Sequence, residues 1–262
     1  MSDLAAFPGT IIDIALSRQG SRHTHVPRVV RPAHRFSINV LQGEHDKESA
    51  AELLKQRYAW RGYETSPAPL DGLGPACFTL CATNSDGATL GTLTLRIDGA
   101  GGLNCEATYP EVIAAARFRG ERLAEICSFA VHTTDLSAHV IGGLFHVAYV
   151  YADLRQVTTA YIEVNPRHVD FYVRALGFSI VGPQRPCHRV GAPAVLMALS
   201  AAHMGDQLRQ LGGTGQGGMP SARRSIYPFC FSQADEAAIR QRVIAMEDSD
   251  EVVHQRVASG DL

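Results

Sequence analysis

Residues 161–178, YIEVNPRHVDFYVRALGF, constrain the fold most, because they run a strand straight into a helix whose two ends are chemically marked. Tyr161 to Val164 is a short run of β-favouring side chains. Asn165 offers a side-chain oxygen to the first free amides of a helix, and Pro166 suits a first turn, where its missing N–H is not needed. Gly177 stands where helices commonly end in a left-handed residue. The segment is a strand–turn–helix unit, a building block of layered α/β domains.

The rest of the chain extends this pattern. Residues 1–33 carry Arg, His, Pro and Ser without sustained periodicity and read as a mobile arm. Residues 36–40 read as a first strand. Over 47–60, Ala50, Leu53, Leu54 and Tyr58 recur on one face of an amphipathic helix. Residues 76–82 and 88–97 are two strands joined by Asn84-Ser85-Asp86-Gly87, a hairpin turn by composition. A helix over 109–120, a central strand over 124–131 and a largely apolar helix over 137–154 follow. Apolar runs at 178–181 and 194–199 close the series. The order β-α-β-β-α-β-α-β-α-β-β implies an α/β domain over 34–200, a mixed sheet flanked by helices. Residues 212–220 hold five glycines in nine residues. They follow helical sequence and lack a Gly-Lys-Ser/Thr ending, so they read as a linker and not as a phosphate loop. Beyond them Ser232 and Asp235 open a further helix, making 201–262 a C-terminal helical extension.

Composition excludes more than it assigns. With 262 residues and 45% hydrophobic content the chain can bury a full core. A formal net charge of −2 removes the electrostatic case for a nucleic-acid partner. The opening residues lack a signal-peptide pattern, and no later stretch approaches about 18 uncharged apolar residues, so a cytoplasmic protein with no transmembrane segment is expected. Six scattered cysteines contain no Cys-x2-Cys pair, and His132, His146, His168 and His188 lack ligand spacing. Reduced structural thiols and no metal site are expected.

The spacing Asn165, Tyr172, Gly177-Phe178 resembles the Asn-x6-Tyr-x4-Gly-Phe pattern of the last strand–helix unit of the GCN5-related N-acyltransferase fold. The wording IEVNPRH at 162–168, with Ala192-Pro193-Ala194-Val195-Leu196 later, resembles the long-chain N-acyl amino acid synthases, relatives of the acyl-homoserine-lactone synthases. That family joins a carrier-bound fatty acyl chain to an amino acid. The resemblance spans residues 36–199, with a weaker echo at 227–246.

Amide formation from a thioester needs a base to strip the acceptor ammonium, and a carboxylate whose pKa is raised by burial is suited to that task. EICSFAV, residues 125–131, resembles the Glu-x-x-Arg/Lys-Phe/Leu-Ala-Val strand in which the family's glutamate is implicated as base, so Glu125 is the candidate. Ser128 departs from that pattern at its basic position. The alternative reading makes Glu125 a strand-end residue paired with an arginine such as Arg122. Glu163 is the rival base, because alternation puts Tyr161, Glu163 and Asn165 on one face.

The resemblance also implies that backbone amides of the strand holding Phe129, Val131 and His132 bind the acyl-pantetheine and steady the oxyanion. Tyr172 matches a tyrosine that protonates the departing thiolate, and reads equally as a packed core residue. Asn165 is a cap that also stands close to the pantetheine arm. His168 lies one turn before Tyr172 and faces the same cleft if both point inward. Trp60 and Tyr63, in RYAWRGY, are candidates for a pocket wall near the substrate entrance, or for core.

The donor follows from an absence. Coenzyme A users hold the pyrophosphate with an Arg/Gln-x-x-Gly-x-Gly/Ala loop at a helix N-terminus. Here residues 132–143 lack that arginine and spacing and carry Asp135. The expected donor is the acyl-phosphopantetheine of an acyl-carrier protein, with no permanently bound cofactor, and the expected acceptor is an amino acid. Arg117, Arg119 and Arg122, with Arg185 and Arg189, are candidate docking charges for an acidic carrier, or an ordinary solvated face. A fatty product would bring transient membrane contact. A coenzyme A-dependent N-acetyltransferase and a non-catalytic acyl or carrier-binding module are the competing readings.

Overall fold

The computed structural model describes residues 10–15, 35–41, 44–60, 76–134, 136–215 and 224–259. Nine strands form one mixed sheet: β1 (Thr10–Ala15), β2 (Arg35–Val40), β3 (Cys77–Asn84), β4 (Thr89–Ile97), β5 (Leu123–Val131), β6 (Thr159–Val164), β7 (Ser179–Ile180), β8 (Arg185–Cys187) and β9 (Ala192–Ser200). Their order is β1-β2-β3-β4-β5-β6-β9-β7, with β8 paired to β9 off this path. Every pairing is antiparallel except that of β5 with β6. The helices are α1 (Glu44–Trp60), α2 (Pro110–Phe118), α3 (Ser137–Leu154), α4 (Val169–Leu176), α5 (Ala201–Leu211) and α6 (Gln233–Ser259).

Alternation along the strands gives the sheet two different faces. One carries Phe36, Ile38, Phe78, Leu80, Leu93, Leu95 and Ile126, which pack on Val140, Leu144, Phe145, Val147, Ala148 and Tyr151 of α3. This is why α3 is apolar around most of its circumference. The other face carries Thr79, Thr92, Thr94 and Glu125, all buried. There α2 contributes Ile113 and Ala116 against Leu123, Tyr161 and Leu196, and Leu53 and Leu54 of α1 pack on Ala130. Polar residues on this second face are shielded from water without being drawn into the main core.

The strand–turn–helix unit forms with one refinement. Asn165 Oδ1 accepts the Arg167 amide at 3.2 Å, but it caps a short 3₁₀ turn, Pro166–His168, from which α4 continues. Gly177 ends α4 at φ +81°, and its N–H returns to Val173 O. The hairpin between β3 and β4 closes on Asn84, whose side chain accepts the amides of Asp86 and Ala88.

One expectation is corrected and another gains a packing role. Part of the supposed N-terminal arm, Thr10–Ala15, pairs with β2 as the edge strand β1; the β-branched run Thr10-Ile11-Ile12 was its local signal. The C-terminal helical extension packs on the domain. Ile226, Tyr227, Cys230, Phe231, Ile239 and Val243 are buried in the same core as the sheet and α3. Gly142 permits this, because a Cβ there would stand 2.9 Å from the Phe229 carbonyl carbon. Tyr227 Oη donates to Leu176 O at 2.7 Å, joining the segment to the end of α4.

Candidate active site

The parallel pairing of β5 and β6 is short. It joins Leu123, Ala124 and Glu125 to Thr159, Ala160 and Tyr161 and then stops, while β5 runs on to Val131 and β6 to Val164. Glu125 stands where the two strands part. On its other side β5 bulges against β4: Thr94 pairs with Cys127 and Thr92 with Ala130, leaving Ser128 and Phe129 without a β4 partner. Ser128 takes φ +48°, a left-handed conformation that is costly for a residue with a side chain. Thr92 Oγ1 holds this turn by donating to Ser128 O at 3.1 Å.

Glu125 is 1% exposed. Its Oε2 accepts the Asn104 amide at 2.5 Å, and its Oε1 lies 3.8 Å from Arg189 Nη2. Burial pushes its carboxyl up to about 7, against the opposing pull of Arg189 and the Asn104 amide. The Glu163 side chain is only 4% exposed, and its Oε2 pairs directly with Arg189. Arg189 comes from the turn between β8 and β9, so one guanidinium spans two carboxylates from neighbouring strands. Cys187 Sγ lies 3.9 Å from Glu163 Oε2, and the side-chain Nδ2 of Asn104 lies 3.9 Å from Cys127 Sγ. Burial, then the two carboxylates, push the Cys105 thiol up, which keeps it protonated and unreactive. All six cysteines are free thiols.

The structure places the other candidates as follows. Arg122 does not pair with Glu125; its guanidinium donates to Arg155 O at 3.4 Å. Of the remaining docking candidates, Arg117 is held by both Asp98 and Glu106. Arg119 pairs with Glu121, and Arg185 with Glu111. Each of these three guanidinium charges is thus offset locally by an acidic neighbour.

His132 donates its amide to Leu90 O at 2.8 Å, so that amide belongs to the sheet and cannot serve an oxyanion. Its Nδ1 lies 3.4 Å from Arg57 Nη2, and burial, then Arg57, lower its pKa. The ring lines a shallow groove of 440 Å³ between α1 and the β3–β4 turn. By ladder alternation Val131 turns its amide away from β4, toward the gap beyond β6's paired residues. Phe129 stacks edge-on against Phe145 at 5.2 Å. Tyr172 is buried between Phe171 and Phe178, at ring distances of 5.2 and 5.7 Å. The His168 ring accepts from Arg167 at 3.3 Å, and Asn165 Nδ2 donates to Pro193 O. Trp60 is the last residue of α1, and Tyr63 lies outside the described residues.

Sequence reasoning missed the Asn104 amide and assigned Arg189 to docking. It also passed over Arg96, the Cα partner of Glu125 on β4. The available signal was a lone cation at the end of the otherwise uncharged run TLGTLTLRI. Among the described residues, no group of three His, Cys, Asp or Glu is placed to hold a metal ion. Nor is any helix there long and apolar enough to cross a membrane.

The family model described as N-acyl amino acid synthase FeeM matches residues 49–200, more than half of the chain. The solved structure of FeeM, an N-acyl amino acid synthase from uncultured soil microbes, superposes with a TM-score of 0.58 at 27% identity, covering 65% of this chain and 93% of that one. The structure of the AHL synthase LasI matches at 14% identity and TM-score 0.48, over 64% of this chain and 91% of that one. An N-acetyltransferase from Staphylococcus aureus Mu50 matches at 12% identity and TM-score 0.45, over 64% and 98%. The sequence matches no curated protein.

Proposed function

Because the chain belongs to the FeeM N-acyl amino acid synthase family and adopts the GCN5-related N-acyltransferase fold, we propose that it transfers a long-chain fatty acyl group from an acyl-carrier protein to the amine of an amino acid. Its standing as an N-acyltransferase follows from family and fold. The carrier-bound donor, the long chain and the amino acid acceptor are the proposal.

The observation that carries the chemistry is a carboxylate at the parting of β5 and β6 whose pKa of about 7 lies near the operating pH. Glu125 takes a proton from the acceptor ammonium, directly or through a water. The neutral amine then forms a C–N bond to the thioester carbonyl carbon. Phe129, outside the β4–β5 ladder, is the amide we assign to the resulting oxyanion. Collapse breaks the C–S bond. Tyr172 gives its proton to the departing sulfur and is recharged by the proton released from the new amide nitrogen. Glu163 is the weaker candidate for the base, because its Oε2 is already taken up by direct pairing with Arg189.

Incubation with palmitoyl- or myristoyl-carrier protein and a mixture of amino acids, followed by mass spectrometry of the lipid extract, tests this reading. An N-acyl amino acid is expected, formed far faster than from the matching acyl-coenzyme A. Equal kcat/KM for the two donors would overturn the carrier assignment, and no acylated amino acid from either donor would overturn the acceptor assignment.

A further inference from the structure

Besides Asn39 Oδ1 on the more distant β2, two buried polar atoms on the Glu125 face of the sheet have no hydrogen-bond partner: Arg96 Nε, a donor, and Glu163 Oε1, an acceptor. An unpaired buried polar atom costs about 1–3 kcal/mol, so such atoms call for an explanation. Here they flank one residue. Arg96 is the Cα partner of Glu125 on β4, and Glu163 lies two residues beyond Tyr161, the partner of Glu125 on β6. Directly opposed residues of a sheet project to the same face, as do residues two apart along a strand, so Arg96, Glu125 and Glu163 share one face across three strands, with Glu163 one step beyond the Arg96–Glu125–Tyr161 row.

The charge of Arg96 is not met from within the described residues. Asp98 and Glu106 are both engaged by Arg117. Glu125 is engaged by the Asn104 amide and Arg189, and Glu163 Oε2 by Arg189. A guanidinium with no carboxylate partner among the described residues, on the same face as a carboxylate with one unpaired oxygen, is the complement of a zwitterion. An α-amino acid carries its ammonium and carboxylate one carbon apart, and the long side chains of Arg96 on β4 and Glu163 on β6 rise from the same face on either side of Glu125 on β5, where such a zwitterion would lie between them. Arginine is also the side chain whose planar fork binds a carboxylate through two hydrogen bonds.

Resting on the synthase reading above, we infer that Arg96 binds the carboxylate of the acceptor amino acid and Glu163 Oε1 its ammonium, presenting the nitrogen to Glu125 between them. Recognition then selects free α-amino acids over simple amines. It also orients the ammonium toward the base before the thioester arrives.

The experiment compares the best amino acid acceptor with its own primary amide, which keeps the ammonium and the side chain but lacks the carboxylate. Wild-type protein is expected to show a KM about 10- to 100-fold higher for the amide, the scale of one charge-assisted bidentate pair. R96Q should raise the KM for the amino acid by a similar factor, leave the KM for the amide and for the acyl donor unchanged, and so erase the discrimination. E163Q should raise the KM for amino acid and amide alike, because both carry the ammonium. Equal wild-type KM for acid and amide would overturn the inference without recourse to any variant. So would an R96Q protein that keeps its preference for the acid, or one that loses both substrates equally. If wild-type protein acylates amino acids yet behaves in one of these ways, the synthase reading stands and this assignment alone falls; if it acylates none, both fall.

Discussion

Arg189 Nη2 lies 3.8 Å from Glu125 Oε1 while the same guanidinium is paired with Glu163. Its positive charge is the main force opposing the burial that raises the Glu125 carboxyl to about 7. Arg189→Met removes that charge and keeps much of the side-chain volume. The rising limb of the pH–rate profile should then move to higher pH, with activity falling at pH 7 and partly recovering near pH 9. A limb that stays in place would show that Glu125 is not the group being titrated.

Replacing Glu125 by Gln should lower the rate by about 10²-fold or more at neutral pH, since positioned proton transfer contributes on that order. The fall should shrink at high pH, where free amine is already present. A normal rate would move the base to Glu163 or to water. The same variant tests linkage. Because the folded state raises this carboxyl from 4.5 to about 7, it binds the proton more tightly than the unfolded chain does. That contribution to stability is complete below about pH 4.5 and is lost as pH rises through 7. Glu125→Gln should therefore match wild type in urea unfolding at pH 4 and exceed it at pH 8, by at most on the order of 3 kcal/mol.

Ser128 holds φ +48° at the bulge of β5. Ser128→Gly should leave stability unchanged or slightly raised, because glycine adopts this conformation without steric cost. Ser128→Val should destabilise by about 1–2 kcal/mol through the left-handed backbone. Denaturant midpoints would check both. A valine variant as stable as the glycine one would mean that the bulge relaxes when the residue changes.

His146, 1% exposed on α3, joins the C-terminal segment to the core. Its Nδ1 accepts the Phe231 amide at 3.2 Å, so Nε2 carries the hydrogen that meets Glu236 Oε2 at 3.0 Å. His146→Ala strands a buried amide and leaves a cavity, for an expected loss of about 2–4 kcal/mol. Equilibrium unfolding would measure it. A loss within the scatter of surface substitutions would mean that this contact does not hold the segment to the core.

What the sequence determined by itself lies within a few residues of its own signal. Asn165, Pro166 and Gly177 bound a turn and helix, Asn84 to Gly87 close a hairpin, and the apolar circumference of α3 demands burial. The family wording at 162–168 and 125–131 marked the strands that meet at the site. Tertiary structure alone decided what those residues do there. Arg189 and Glu125 are 64 positions apart, and Arg96 and Glu125 face each other only because the β4–β5 register, shifted by the bulge at Ser128, brings them opposite. The edge strand at Thr10–Ala15 depends on β2 to pair with. The placement of Phe231 and Ile239 in the core depends on the close approach that Gly142 allows. Local backbone preference acts over three or four residues and can be read along the chain. Ion pairing and burial instead depend on which strands become neighbours and in what register, and folding alone sets that for the charges around Glu125.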